Sequence, residues 1–321
     1  AILLMMSIVD DETYAELKHL ADSLGLDVLT EAITEDEVDR ATAFGVNVIG
    51  INNRNLHDLS IDLTRSERLS RFVPSGKVVV SESGIRNNQA VRRLGSHANA
   101  FLVGSQLTGT PDIDRAARKL VYGHNKVCGL TAWSAAQAAR AAGAVYGGLI
   151  FEEASPRNVS RETALDIIAH EPDLSYVAVS RRTTGWEELA FDGIAALQIH
   201  TPYQGSTEAE LQLIESVRAV AGERQVWRAI DMTTPHSPVL ASALADASDM
   251  LILDSGAGGT GNSFDWSTIP DNVKDKALLA GGLKPENLRD ALRVGTAGLD
   301  INSGVEVDGR KDTALIATAF N

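Results

Sequence analysis

Cys128 stands in the apolar run KVCGL (126–130) and Asp254 closes another, MLILDS (250–255), in a chain with a single cysteine. A thiol and a carboxyl differ in proton affinity, which is what a general base and a general acid serving one substrate require. Each residue also has a plain reading, since cysteine packs well in a core and aspartate before Ser255-Gly256 suits a turn. A thiolate base needs positive charge or a helix start to lower its pKa. Strand alternation is expected to turn Lys126 away from Cys128, so the activating group is sought elsewhere. The glycines after Asp254, at 256, 258, 259 and 261, would let a loop fold close over a ligand, or serve as a flexible turn. Arg157 in FEEASPRNVS has the forked donor geometry that suits a planar carboxylate. His200 ends ALQIH as a rim or core residue, with a ligand role the lesser reading.

Nearer the start, Glu31, Asn52, Arg54 and Glu82 fall at, or just beyond, successive strand ends. Carboxylates gathered at a buried mouth need partners or a substrate cation to offset desolvation, so this series is harder to read as turns alone.

The elements that must position these residues alternate, short β-rich runs with amphipathic helical stretches, the pattern of βα units on a parallel sheet. Five strands are expected before residue 110, at 2–9, 27–32, 47–52, 77–83 and 100–104. A closing helix is expected over 110–123. Eight more follow, at 126–130, 144–151, 176–180, 196–200, 226–231, 250–255, 277–282 and 298–302. The fold class is thus α/β, two (β/α)8 TIM barrels in tandem, the first incomplete with its last five βα units and the second complete. The boundaries are 1–123 and 124–321, and the second stretch is close to the roughly 200 residues of a small barrel. Five parallel strands leave an open sheet edge, so the first segment is expected to be the later part of a barrel. In each segment the last two strands end on small residues, Ser83-Gly84 and Gly104-Ser105, then Gly281-Gly282 and Ser303-Gly304. Loops after strands seven and eight of such barrels frequently hold a phosphate, so both segments are expected to bind phosphate esters.

Composition narrows the partners. A net charge of −14 with no long basic run argues against nucleic acid or an anionic membrane, while leaving room for phosphate held by backbone N–H groups. No apolar run reaches membrane-spanning length, and the opening AILLMMSIVD lacks a basic flank. One cysteine excludes an internal disulfide framework and fits a reducing compartment. The expectation is a cytoplasmic enzyme without metal or cofactor, monomeric at full length.

Together these residues resemble the bifunctional tryptophan-biosynthesis family that fuses indole-3-glycerol-phosphate synthase to N-(5′-phosphoribosyl)anthranilate isomerase. LTEA, GINNRNL, SESGI and FLVGS are similar to the synthase's later strands. KVCGL, GGLIF, SPRNV, LQIH, LDSGAGGTGNSFDW, LAGGL and LDINSGVE are similar to the isomerase. The resemblance implies that Cys128 is the base and Asp254 the acid of an Amadori rearrangement of a phosphosugar–anthranilate substrate, with Arg157 on the anthranilate carboxylate. It implies a phosphate cradle of Gly259, Gly261, Gly282, Ser303 and Gly304, with Asp300 and His200 near the substrate. For the synthase it implies Glu31, Glu82, Asn52 and Arg54 in the site and Ser83, Gly104 and Ser105 at the phosphate. The family's catalytic lysines belong to strands before those present here, so no synthase turnover is expected from this polypeptide alone. Ser180, where relatives commonly carry an aromatic residue, and Thr201, where glycine is common, are departures in the pocket wall. Two other readings stand beside this one, a different phosphosugar aminoaldose isomerase and a catalytically silent chain that needs an N-terminal piece.

Overall fold

A computed structural model of the chain describes residues 1–56, 58–256 and 263–320. The chain divides into two compact units at Val121/Tyr122, two residues from the boundary read in the sequence.

The first unit is a five-stranded parallel sheet in sequential order, β1 (Ile2–Met5), β2 (Val28–Ala32), β3 (Val48–Asn52), β4 (Val78–Glu82) and β5 (Ala100–Leu102). β1 and β5 each pair on one side only, and Leu3 and Leu102 on them are exposed. β1 stops at Met5 rather than running to residue 9, because Ile8 and Val9 turn back to bond the Met5 carbonyl. The closing helix begins later than expected, at Ile113–Tyr122, and a short helical turn, Ser105–Thr108, precedes it.

In the second unit eight parallel strands close into a barrel: β6 (Lys126–Cys128), β7 (Tyr146–Ile150), β8 (Ser175–Ser180), β9 (Ile194–Ile199), β10 (Gln225–Asp231), β11 (Met250–Asp254), β12 (Ala277–Leu279) and β13 (Gly298–Ile301). Closure is the pairing of β13 with β6, where Asp300 lies opposite Lys126. The period-two alternation sorts side chains into two cores. Val127, Leu149, Leu197, Leu251 and Leu279 pack outward against helices. Cys128, Tyr146, Val177, Trp227, Ile252 and Leu278 fill the barrel, with Tyr146 and Trp227 edge to face at 4.8 Å.

Loops at the carboxyl ends of the strands are fixed where they enter helices. Ser160, Ser206 and Thr34 each accept a bond from the N–H three residues on, the usual way an N-terminal orphan donor is satisfied. The loop after β9 is held from below, because buried Arg228 donates to Glu210 through Nε (2.7 Å) and Nη2 (2.9 Å) and to the Thr201 carbonyl (2.9 Å). A two-stranded antiparallel hairpin, β14 (Glu306–Val307) and β15 (Arg310–Lys311), follows the barrel.

Candidate active site

β6 contributes three residues and then ends, because Gly129 takes a left-handed conformation (φ +72°) that turns the chain off the strand. Cys128 is thereby left at the upper rim, buried, bordering a cavity of about 250 Å³. Lys126 does not turn away from it. Residues two apart share a strand face, so both side chains enter the barrel, and the expectation that Lys126 pointed elsewhere fails on that parity. Lys126 is fully buried and its Nζ donates to Asp300 Oδ2 at 2.7 Å. Burial works against its charge, yet Asp300 and Cys128 hold its ammonium above the ordinary lysine range. Burial pushes the Cys128 thiol above its usual range, and Lys126 offsets part of that rise.

Asp254 ends β11 on the same rim and borders the same cavity. Burial raises its pKa to about 6, against a bond from the Ser255 N–H to Oδ1 at 2.7 Å. It therefore holds or releases a proton near neutrality. His200 faces it, Nε2 to Oδ2 at 3.7 Å, too long for a hydrogen bond. The two do not form an ion pair, because burial first, and then Lys126 and Arg228, lower the imidazole pKa to about 3. Gln198 Nε2 lies 3.2 Å from Nδ1 of the neutral ring, and with the amide donating there the ring proton sits on Nε2, toward Asp254.

Arg157 reaches the cavity from the loop after β7. It is not unpartnered: Nε and Nη2 grip both oxygens of Glu306, at 2.8 and 2.7 Å. Lys311 also bonds Glu306, and it donates to Asn302 Oδ1 (2.9 Å) and the Asn302 carbonyl (3.2 Å). Burial opposes the Glu306 charge, but Arg157 and Lys311 hold its carboxyl below the usual range. Gly129 makes room for this cluster, since a Cβ there would lie 2.7 Å from Arg157 Cδ and 2.9 Å from Asn302 Oδ1.

Small residues on the loops after β12 and β13 complete the lining. Gly281 and Gly282, both left-handed, and Ser303 border the cavity. Gly304 does not line it. A Cβ on Gly304 would overlap the Leu283 carbonyl oxygen, so this glycine lets the loops after β12 and β13 close together. Asn287 braces the first loop by donating to the Gly282 carbonyl at 2.9 Å. Gly259 and Gly261 lie outside the described residues.

In the first unit a cavity of about 440 Å³ is bordered by Arg54, Glu82, Ser83, Gly104 and Ser105. Glu31 and Asn52 do not border it. Glu31 lies against Glu82, whose carboxyl is pushed up to about 8 by burial and by the Glu31 charge. A Cβ on Gly50 would overlap Glu82 Oε1, so the bare glycine is what admits that carboxyl. Asn52 Oδ1 accepts from the Arg54 N–H at 2.9 Å, and Arg54 Nη1 reaches the Leu59 carbonyl at 3.3 Å.

The comparisons with known proteins divide at the same place as the fold. Residues 1–120 match the family model of indole-3-glycerol phosphate synthase, and residues 125–321 match that of N-(5′phosphoribosyl)anthranilate (PRA) isomerase. The tryptophan biosynthesis protein TrpCF of Corynebacterium glutamicum is 62% identical over all of this chain and 69% of its own length. The chain belongs to this bifunctional tryptophan-biosynthesis family. The corresponding protein of Yersinia pestis is 44% identical, and the chain spans about two thirds of either relative, 69% and 66%. Among solved structures the isomerase unit is similar to the phosphoribosylanthranilate isomerases of Thermus thermophilus (TM-score 0.52, 26% identity) and Thermotoga maritima (0.51, 28%). Each comparison covers 61% of this chain and 96% of the other.

Within the isomerase unit the fold brings Cys128, Asp254, Arg157, His200, Asp300, Gly282 and Ser303 to one cavity. Sequence reasoning missed Glu306, Lys311 and Gln198, and it misplaced Lys126. A signal for the first two was present, because Asp308-Gly309 between Glu306-Val307 and Arg310-Lys311 is a two-residue hairpin turn, and both central residues have positive φ, 50° and 74°. No helix among the described residues is long and apolar enough to cross a membrane, and none of their side chains gather as a metal-ligand group.

Proposed function

We propose that the isomerase unit converts N-(5′-phosphoribosyl)anthranilate to 1-(o-carboxyphenylamino)-1-deoxyribulose 5-phosphate, with Asp254 as general acid and Cys128 as general base. The observation that carries this reading is the meeting of the two at one cavity, with Asp254 buried so that its proton affinity lies near neutrality. Asp254 gives its proton to the ribose ring oxygen and the ring opens to a Schiff base. Cys128 takes the C2′ proton, and the enolamine tautomerises to the ketone. No electrons enter or leave, so the step balances with the substrate alone. His200, neutral and with its ring edge toward Asp254, contributes no cation that would hold the acid ionised. Arg157 takes the anthranilate carboxylate, its fork kept in place by Glu306. Gly282 and Ser303 take the phosphate with backbone N–H groups, joined by the Gly259–Gly261 loop, while Gly304 lets the two loops that carry them meet. Asp300 acts on the substrate side through Lys126.

For the synthase unit the proposal assigns Glu31, Glu82, Asn52 and Arg54 to the family's site and Ser83, Gly104 and Ser105 to its phosphate. Burial and the Glu31 charge keep Glu82 protonated up to about pH 8.

The test follows the fluorescence of the anthranilate substrate, made in situ, with the purified chain and with Cys128→Ala and Asp254→Asn. Consumption by the parent chain and a fall of about 10² to 10⁴ in kcat for either variant is the expected result. A folded Cys128→Ala chain with full activity sinks the base assignment.

A further inference from the structure

Cys128 can act as a base only as a thiolate, and burial opposes that charge. The charged and titratable groups that face it come from several elements: Lys126 on its own strand, Asp300 on β13, Lys311 on β15, Arg157 after β7, and Asp254 and His200 across the cavity. Most of these are committed or uncharged. Lys311 directs its bonds to Glu306, the Asn302 carbonyl and Asn302 Oδ1, which equals the three donors of an ammonium. Arg157 uses Nε and Nη2 on Glu306. His200 is neutral. Lys126 differs, because Asp300 takes one donor and Cys128 lies two residues on along the same face.

The neighbouring strand is built to bring these two together. Gly148 on β7 is the register partner of Cys128, and a Cβ on it would lie 2.7 Å from Cys128 Sγ and 3.0 Å from Lys126 Cε. Both side chains therefore occupy the space that any other residue at 148 would fill.

We propose that Lys126 is the positioning residue for Cys128, with its ammonium anchored on Asp300 and donating to Sγ, so that the thiolate forms more readily than it would without that ammonium. This deepens the isomerase reading and rests on Cys128 as its base. An ammonium beside a thiol lowers its pKa, and Asp300 limits the effect by sharing the ammonium.

The test is the pH dependence of iodoacetamide alkylation of Cys128, read by mass spectrometry. The single cysteine makes the signal unambiguous, and the reading does not depend on which reaction the site performs. In Lys126→Met the alkylation midpoint is expected to rise by at least one pH unit, so that the rate at pH 7 falls about tenfold. Lys126→Met/Asp300→Asn removes both charges together, so it remains usable if the single variant fails to fold, and the same direction is expected. Asp300→Asn alone keeps the lysine, and its midpoint is expected to fall. Unchanged midpoints in the folded lysine variants, or a rise in Asp300→Asn, overturn the proposal. A Cys128→Ala chain that still isomerises would instead remove the base assignment and leave the Lys126 result standing.

Discussion

Asp254 shows at the scale of one residue what it costs to bury a carboxyl. Its pKa is raised from 3.8 to about 6 because it is buried, so its ionised form is the poorly tolerated one. The sign follows directly: the fold is favoured by this group below pH 3.8 and loses that contribution as pH rises through about 6. Asparagine imitates the protonated form. Asp254→Asn is therefore expected to lose about 10² to 10⁴ in kcat, and to lose any inflection near pH 6 in its rate profile. At pH 7.5 it is expected to be more stable than the parent by up to about 3 kcal/mol, and near pH 3.5 about equal. Urea titrations at the two pH values, followed by tryptophan fluorescence, check this. A variant less stable than the parent at pH 7.5 would show that Asp254 makes a structural bond that burial alone does not describe. At this scale the sequence was informative where an acid or thiol ended an apolar run. It was not where function depends on charge balance, because Lys126 and Asp300 are 174 residues apart and only barrel closure pairs them.

At the scale of elements, the alternation of strands and helices was legible because burial on both faces of a parallel strand writes a continuous apolar run. What a run cannot show is where pairing stops. The expected strand over 277–282 ends at Leu279, since Gly281 and Gly282 are already left-handed, and 126–130 ends at Cys128 for the same reason. Those early stops leave residues of both runs bordering the cavity. Gly304 is the residue that lets the two rim loops meet, and it does so by sterics rather than by an unusual φ. Gly304→Ala is expected to push the loops apart, because a Cβ would lie 2.8 Å from Leu283 C and Lys284 Cα, and backbone atoms yield little. The expected cost is about 1–3 kcal/mol of stability. Steady-state kinetics should show KM raised about tenfold or more with kcat within a few-fold, the mark of lost ground-state binding. A fall in kcat at unchanged KM would assign these loops to the chemistry instead of the phosphate.

At the scale of the whole molecule the two units differ in how their sheets end. The barrel has no free edge, while the first sheet has two, at β1 and β5. All four tryptophans, at 133, 186, 227 and 266, lie in the isomerase unit, so fluorescence reports that unit alone. Urea is expected to unfold the chain in two steps, the first silent in fluorescence and visible as lost hydrogen-exchange protection of residues 78–82, the second carrying the fluorescence change. Glu82 makes the steps separable. Its pKa is raised from 4.5 to about 8 by burial and by Glu31, so the first unit is favoured by this group below pH 4.5 and loses that contribution as pH rises toward 8. Glu82→Gln is therefore expected to raise the midpoint of the first step at pH 8.5, leave it unchanged at pH 4, and leave the second step where it was at both. Isomerase activity should persist through the first step and vanish in the second. Coincident steps, moved together by Glu82→Gln, would mean that the units unfold as one cooperative body and that the barrel's stability depends on the sheet preceding it.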